Sequence, residues 1–559
     1  MPDKEFNLLH EPWICVMTPD AEVKEVSILD AFRHAHEYRA ISGELPTQNV
    51  AILRLLLAIL HAVFGRVDVE GNAFDEDGIT NALCDLDPED AYDRWQSLWE
   101  LGKFPMKPIE DYLSHYEDRF WLFHPETPFY QVAGLKNGTD YKASKLNAEI
   151  SESNNTNHAP KLISSRSGKT KEILSYSEAA RWLIHCMNFD DVVKESKENK
   201  TNVNIKNDSE KRSPGVGWLG KLGLIHATGN NLFETMLFNF VILKQSGHEP
   251  WKKENPYWEH PPITTEKNYI SFPDNLSELY TIQSRRILLK RNDHKQVNGF
   301  RAISGDFTSL QDQFNEPMTT WMFNSKKNQY YPMEHDASRQ IWRDLESIIS
   351  QNSNNHLPEI INWSNQIKEI TGKMIFTFLT PSIEYGGGSQ KSCINNIFND
   401  SISFNISLLS KEGEVWCKRI IDELKTTDKL VSQLGEFAKN LAIAAGSDPK
   451  DSIPKSKQDE YVMKAYYELD AAYRHWLESI DPKQNMNIDD IMDKWWNIAK
   501  NKVRKIGHEL LLQYGSNAFI GRDIVINKQK KHISSSEAYK WFRINSSSRE
   551  NLKKSGGKK

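Results

Sequence analysis

Apolar residues run almost unbroken from Val50 to Phe64, interrupted only by Arg54 and His61. That density predicts a helix buried on every side, over about residues 48–64. Thr47 is placed to cap its start and Gly65 to close its end. The run is too short and too polar to span a bilayer, and His61 on it reads as a core histidine. A second helix is predicted over 175–189, where Ser175 and Glu178 make a capping box. A third, buried helix is predicted at LFETMLFNFVIL, residues 232–243. Short strand-like runs precede and follow these helices: FNLLHEPWICV at 6–16, SRRILLKR at 284–291 and KMIFTFLT at 373–380. Residues 133–170 lose all pattern, and the polar stretch 194–212 has no apolar period.

From about residue 405 the texture changes to long helices. Ile420, Leu424, Leu434, Phe437 and Leu441 keep helical spacing, as do Val462, Tyr466, Leu469, Tyr473 and Trp476. Ile488, Ile491, Trp495, Ile498 and Ile506 continue it, and SSEAYKWFRI at 535–544 supplies a shorter fourth helix. The expected fold is α+β. A large mixed domain with irregular loops fills 1–404, an antiparallel four-helix bundle fills 405–545, and 546–559 form a flexible basic tail.

Composition narrows the class. The 559 residues are 39% hydrophobic and 26% charged, which describes a soluble globular chain. Cys15, Cys84, Cys186, Cys393 and Cys417 are scattered with no C-x-x-C pair, so neither a zinc module nor a disulfide framework is expected. That pattern fits a reducing cytoplasm, and the N-terminus shows no leader-like pattern. The net charge of −6 is polarised: residues 1–120 hold 24 Asp and Glu against 10 Lys and Arg, residues 500–559 hold 4 against 15. Such a chain could touch nucleic acid locally while sitting in a larger assembly.

The chemistry concentrates in glycines. Gly215, Gly217, Gly220, Gly223 and Gly229 crowd one stretch that also holds Trp218. Glycine is costly to order, and a cluster this dense suits a backbone that must approach nucleic acid or phosphate closely. Gly215, Gly217 and Gly220 match the dinucleotide fingerprint G-x-G-x-x-G, yet no buried strand feeds them. A plain glycine-rich connector remains the bland reading. His335–Asp336 has the form of a metal dyad but lacks identifiable companion ligands. No acid–base pair, nucleophile elbow or P-loop stands out, so no catalytic residue, metal or cofactor is expected.

Taken in order, NLLHEPWI, PTQNVAILRLLLAIL, SEAARWLIH, GWLGKLGLIHATGNNLFETMLFN, LYTIQSRRILL, EPMTTW and YGGGSQKS resemble one family. It is the CasA family, the large subunit of the type I-E CRISPR surveillance complex Cascade, and the resemblance covers nearly the whole chain. It implies a non-catalytic subunit that reads a short PAM on double-stranded DNA, starts R-loop formation and presents a docking surface to a helicase–nuclease. A loop around 145–160, with Thr156, Asn157 and His158, would meet the 5′ end of the guide RNA and neighbouring subunits. The family's glycine loop falls on Gly215, Val216, Gly217 and Trp218, and its glutamine wedge on Ser389, Gln390 and Lys391. A basic finger falls near Lys290, Arg291 or Lys295.

Physics makes these assignments reasonable. A Gly-Val-Gly backbone can enter a minor groove about 6 Å wide. Glutamine can replace a lost base pair's hydrogen bonds while a step is wedged apart at a cost of a few kcal/mol. Two other classes stay open. One is a nucleotide-binding enzyme built on the 215–220 glycines, and the other a scaffold indifferent to sequence.

Overall fold

The computed structural model describes residues 4–147, 172–189, 216–244, 249–265, 269–270, 273–305, 307–308, 313–350, 356–385, 394–484, 487–526 and 529–555. Gly215, Ser389, Gln390, Lys391, Thr156, Asn157, His158 and the insertion 194–212 lie outside the described residues. The chain divides into two compact units, residues 1–339 with 353–401, and residues 340–352 with 402–559.

The first unit is built on the predicted core helix, Pro46–Phe64. Its apolar run leaves no face for water, and 94% of an 18-residue window is buried, although its length and hydropathy alone would suit a membrane. Its ends differ from expectation. Leu45 occupies the N-cap position and Pro46 takes the first turn, where a missing N–H costs nothing. Thr47 is therefore inside the helix, and its hydroxyl meets His185 Nε2 at 3.0 Å. Gly65 does cap the C-terminus, but in the right-handed conformation with φ −72°, not the left-handed one.

Beside it packs the helix Tyr176–Phe189, buried along its length. Both halves of its capping box are made: Ser175 Oγ accepts from Glu178 N at 3.1 Å, and Glu178 Oε2 accepts from Ser175 N at 2.7 Å. A long hairpin, Arg285–Arg291 with Val297–Ser304, runs antiparallel to this helix. Ser284 Oγ donates to Met187 O at 2.5 Å near the helix's end, while Leu174 and Val297 exchange backbone bonds at its start. Part of the patternless stretch proves ordered. Thr139–Lys142 adds as an edge strand to Val297–Ser304, followed by a short helix, Ala143–Leu146. Its lack of alternation follows from that exposed edge position.

A shorter hairpin, Thr319–Asn324 with Gln329–Pro332, pairs with Gly223–Leu224 in a three-stranded sheet. His226–Thr228 pairs with Ile375–Leu379, and Ser382–Tyr385 pairs with Ile394–Phe398.

The second unit carries three long helices, Glu414–Ala444, Ser452–Glu478 and Ile488–Leu511, which pack on one another. A shorter one, Ser535–Asn545, packs on the first and third. A hairpin absent from the sequence reading, Arg522–Ile526 with Gln529–Ile533, precedes it and contributes Ile524 and Ile533 to a small core with Ile443, Ala444 and Ala518. The expected flexible tail begins instead with a docked helix, Arg549–Ser555. Leu552 is 1% exposed, and Arg549 reaches Glu423, Asp493 and the carbonyl of Met492.

Candidate nucleic-acid interface

The glycine stretch opens onto a one-turn 3-10 helix, Trp218–Lys221, and then directly onto the strand Gly223–Leu224. A dinucleotide site needs an α-helix N-terminus after its glycines, and the 3-10 turn does not provide one. The glycines answer to a different need. A Cβ on Gly217 would lie 2.2 Å from the carbonyl carbon of Asn188 and 2.3 Å from its oxygen. A Cβ on Gly220 would lie 2.4 Å from the hydroxyl of Tyr385. Both hydrogens thus face the protein's own chain, and glycine is what lets the loop sit against the end of helix Tyr176–Phe189.

Trp218 is only 6% exposed, so its indole has no open face for DNA. It belongs to a buried network. Its Nε1–H donates to Glu316 Oε2 at 2.6 Å, and Arg54 holds the same carboxylate through Nη1 at 2.7 Å and Nη2 at 3.0 Å. Both members of the ion pair have fully buried side chains. The Arg54 guanidinium also lies 4.2 Å from the Tyr280 ring centroid, and burial pushes that phenol far above its usual range. Arg54, the single formal charge in the core run, therefore braces the glycine loop from inside. Within the described part of the loop, 216–220, only Val216 keeps part of its surface open.

Tyr385, the residue before the second glycine cluster, reaches the same place. Its hydroxyl donates to Phe189 O at 2.5 Å, next to Gly220, and it is the last described residue before Gly386. Gly217, Gly220 and Tyr385, far apart in sequence, thus meet at the end of one helix.

The three basic candidates do not join them. Lys290 Nζ is 2.7 Å from Asp140, and Arg291 Nη1 is 2.9 Å from Glu5 with its guanidinium 4.6 Å from the Phe123 ring. Lys295 sits at the hairpin turn with φ +57°. All three lie at the start of helix Tyr176–Phe189, roughly 20 Å of helix away from Gly217. Other exposed basic groups are Lys326 and Lys327, at the tip of the shorter hairpin. Thr319 and Thr320 pair with Leu224 and Gly223, so the strand continues toward the side from which the glycine loop enters. Asn324 Oδ1 accepts from both lysine amides at 3.1 and 3.2 Å, and Lys327 Nζ lies 5.6 Å from the Tyr331 ring centroid. The visible signal was a polar turn, NSKKN, between MF and QYY.

His335 and Asp336 have structural partners. His335 Nε2 donates to Leu224 O at 2.8 Å, and Asp336 Oδ1 accepts from Ser338 N and Oγ at 2.8 and 2.7 Å. Among the described residues no group of three or more His, Cys, Asp or Glu is arranged to hold a metal ion.

This combination of a mixed first unit and a helical second one is the architecture of a CRISPR-associated protein. It superposes on Thermobifida fusca Cse1 over 98% of both chains, with a TM-score of 0.75 at 26% identity. A chain of a CRISPR RNA-guided surveillance complex matches in fold, with a TM-score of 0.61 at 16% identity over 91% of this chain and 99% of that one. CasA/Cse1 of Thermus thermophilus is 27% identical over 446 residues, covering 78% of this chain and 77% of the relative. Residues 7–506 match the family model for CRISPR-associated protein Cse1, and the chain belongs to that family.

Proposed function

We propose that the chain is the large, non-catalytic subunit of a type I-E Cascade effector. It reads the PAM on double-stranded DNA, begins strand separation and recruits a helicase–nuclease, in the cytoplasm. Its partners are the other Cascade subunits, the 5′ end of the guide RNA and the target duplex. The family membership and the fold shared with a surveillance-complex chain support the assembly. One observation carries the proposal: the loop at Val216–Trp218 and Tyr385, the residue before Gly386, meet at Asn188–Phe189. A reader and a wedge must act on adjacent base pairs, so their supports must adjoin.

In this reading the backbone at Gly215 and Val216 enters the minor groove, with the buried Gly217 and Trp218 as its inner anchor. Gln390, flanked by Ser389 and Lys391, takes the place of the first separated base. Lys326 and Lys327 supply phosphate affinity, the part first assigned to Lys290, Arg291 or Lys295. Thr156, Asn157 and His158 serve the guide-RNA and subunit contact. The decisive comparison is Gln390→Ala in the assembled complex. Binding to intact PAM-bearing duplex falls, and binding to a target already mismatched beside the PAM stays near normal, because the unpairing cost is removed in advance. Equal defects on both targets would reduce Gln390 to a turn residue.

A further inference from the structure

We propose that the buried Arg54–Glu316 pair is a positioning device for the glycine loop, acting through the indole N–H of Trp218; this rests on the DNA-reading role proposed above. The Glu316 carboxylate is saturated: besides Arg54 and Trp218, its Oε1 accepts from Met318 N at 3.1 Å. Taking two charges out of water is expensive, and an apolar pair of the same volume would hold the core helix to segment 316–320 at least as well. What an apolar pair could not do is fix direction. A carboxylate locked by a bidentate guanidinium presents one lone-pair direction to the indole, and so sets the angle of the Trp218 ring.

The same short segment holds the loop at its other end. Thr319 and Thr320 pair with Leu224 and Gly223, and Met318 O accepts from Ile225 N at 3.2 Å. The chain from Trp218 to Ile225 is therefore pinned twice to residues 316–320, and these in turn to Arg54 in the middle of the core helix. Val216 and Gly217, directly before Trp218, inherit their position from this brace. Close groove entry tolerates little displacement, whereas phosphate attraction tolerates much. Loss of the brace should accordingly cost sequence discrimination before it costs general DNA affinity.

The test is Trp218→Phe in the fully assembled complex, which removes the N–H and keeps a ring in the core. Affinity is measured for duplexes differing only in the flanking trinucleotide. We expect the preference for the favoured flank to fall about tenfold, the order of one charge-assisted hydrogen bond, with salt dependence and affinity for disfavoured flanks unchanged. A preference equal to wild type, or both affinities falling together, would overturn the proposal. Should Trp218→Phe not assemble, Arg54→Lys decides by the same readout: it keeps the charge but loses the fork, and an unchanged preference overturns the proposal. If the wild-type complex itself ignores the flank, the DNA-reading role fails and this inference with it. If wild type discriminates and the variant does so equally, only this inference fails.

Discussion

Gly217→Ala should destabilise the first unit whether or not DNA is present. The new Cβ would sit 2.2 Å from Asn188 C, 2.3 Å from Asn188 O and 2.7 Å from Phe189 N. Carbon atoms settle at about 3.5–4.0 Å, so the overlap exceeds an ångström. The obstructing atoms are the backbone of a buried helix's last residues, which have no rotamer to yield. Relief requires the loop or the helix end to move, and each is tied elsewhere: the loop through Trp218–Glu316, the helix end through Tyr385–Phe189 and Ser284–Met187. Overpacking costs about 1–3 kcal/mol and each weakened hydrogen bond about 1 kcal/mol more, together roughly 2–5 kcal/mol. With an unfolding entropy near 2 cal/mol/K per residue, a unit of this size would melt about 2–6 °C lower. Calorimetry of the isolated chain measures this, with Gly515→Ala as the control, since nothing lies within 4 Å of a Cβ there. A Gly217→Ala midpoint within experimental error of wild type would refute the packing argument and return the glycine to a purely ligand-facing role.

Three further outcomes follow from other sites. Burial pushes the Glu254 carboxyl up to about 7, against the pull of Ser277, while burial holds nearby His61 down at about 3. A raised carboxyl stabilises the fold below its ordinary value and loses that contribution as pH climbs toward 7. Glu254→Gln should therefore gain on wild type by about 2 kcal/mol between pH 5 and pH 8, and parallel melting curves at the two pH values would exclude it. Lys326→Ala and Lys327→Ala should each flatten the slope of log affinity against log salt by about one unit, whereas Lys290→Ala, whose charge Asp140 already engages, should change it less. Arg549→Ala leaves the Glu423 carboxylate, itself pushed up by burial, without its guanidinium partner. It should cost the second unit about 2–3 kcal/mol and open helix Arg549–Ser555 to proteolysis, and a protected C-terminus in the variant would count against the docking.

Much of this was legible because burial writes a period into sequence. The core helix, the capping box at Ser175 and Glu178, and the first two long helices of the second unit sit where their apolar spacing put them. The third helix does too, but its buried stripe is Met492, Trp495, Trp496, Ala499, Val503 and Ile506, so Ile488, Ile491 and Ile498 belong to its half-open flank. Trp495 and Ile506 are buried as read, while the other three isoleucines misled, since two adjacent tryptophans decide which face is heavier. Strand Thr139–Lys142 carries no apolar alternation because it lies on an exposed edge, so only its partner reveals it. At the site, the glycine cluster was visible but its reason was not. A long-range contact with Asn188 cannot be read from a local run of glycines. Arg54 stood out as the one formal charge in an apolar run, yet its partner Glu316 lies 262 positions away among polar and apolar residues alike, and only the fold shows they form a pair.

The central claim is that this chain reads the PAM. The direct measurement is binding of guide-loaded complexes, assembled with and without this subunit, to a duplex library randomised only at the flanking trinucleotide. Complexes containing the subunit should enrich a small set of related trinucleotides, as degenerate minor-groove readout requires, and complexes lacking it should enrich none. The same enrichment in both preparations would place PAM reading in another subunit and contradict the account.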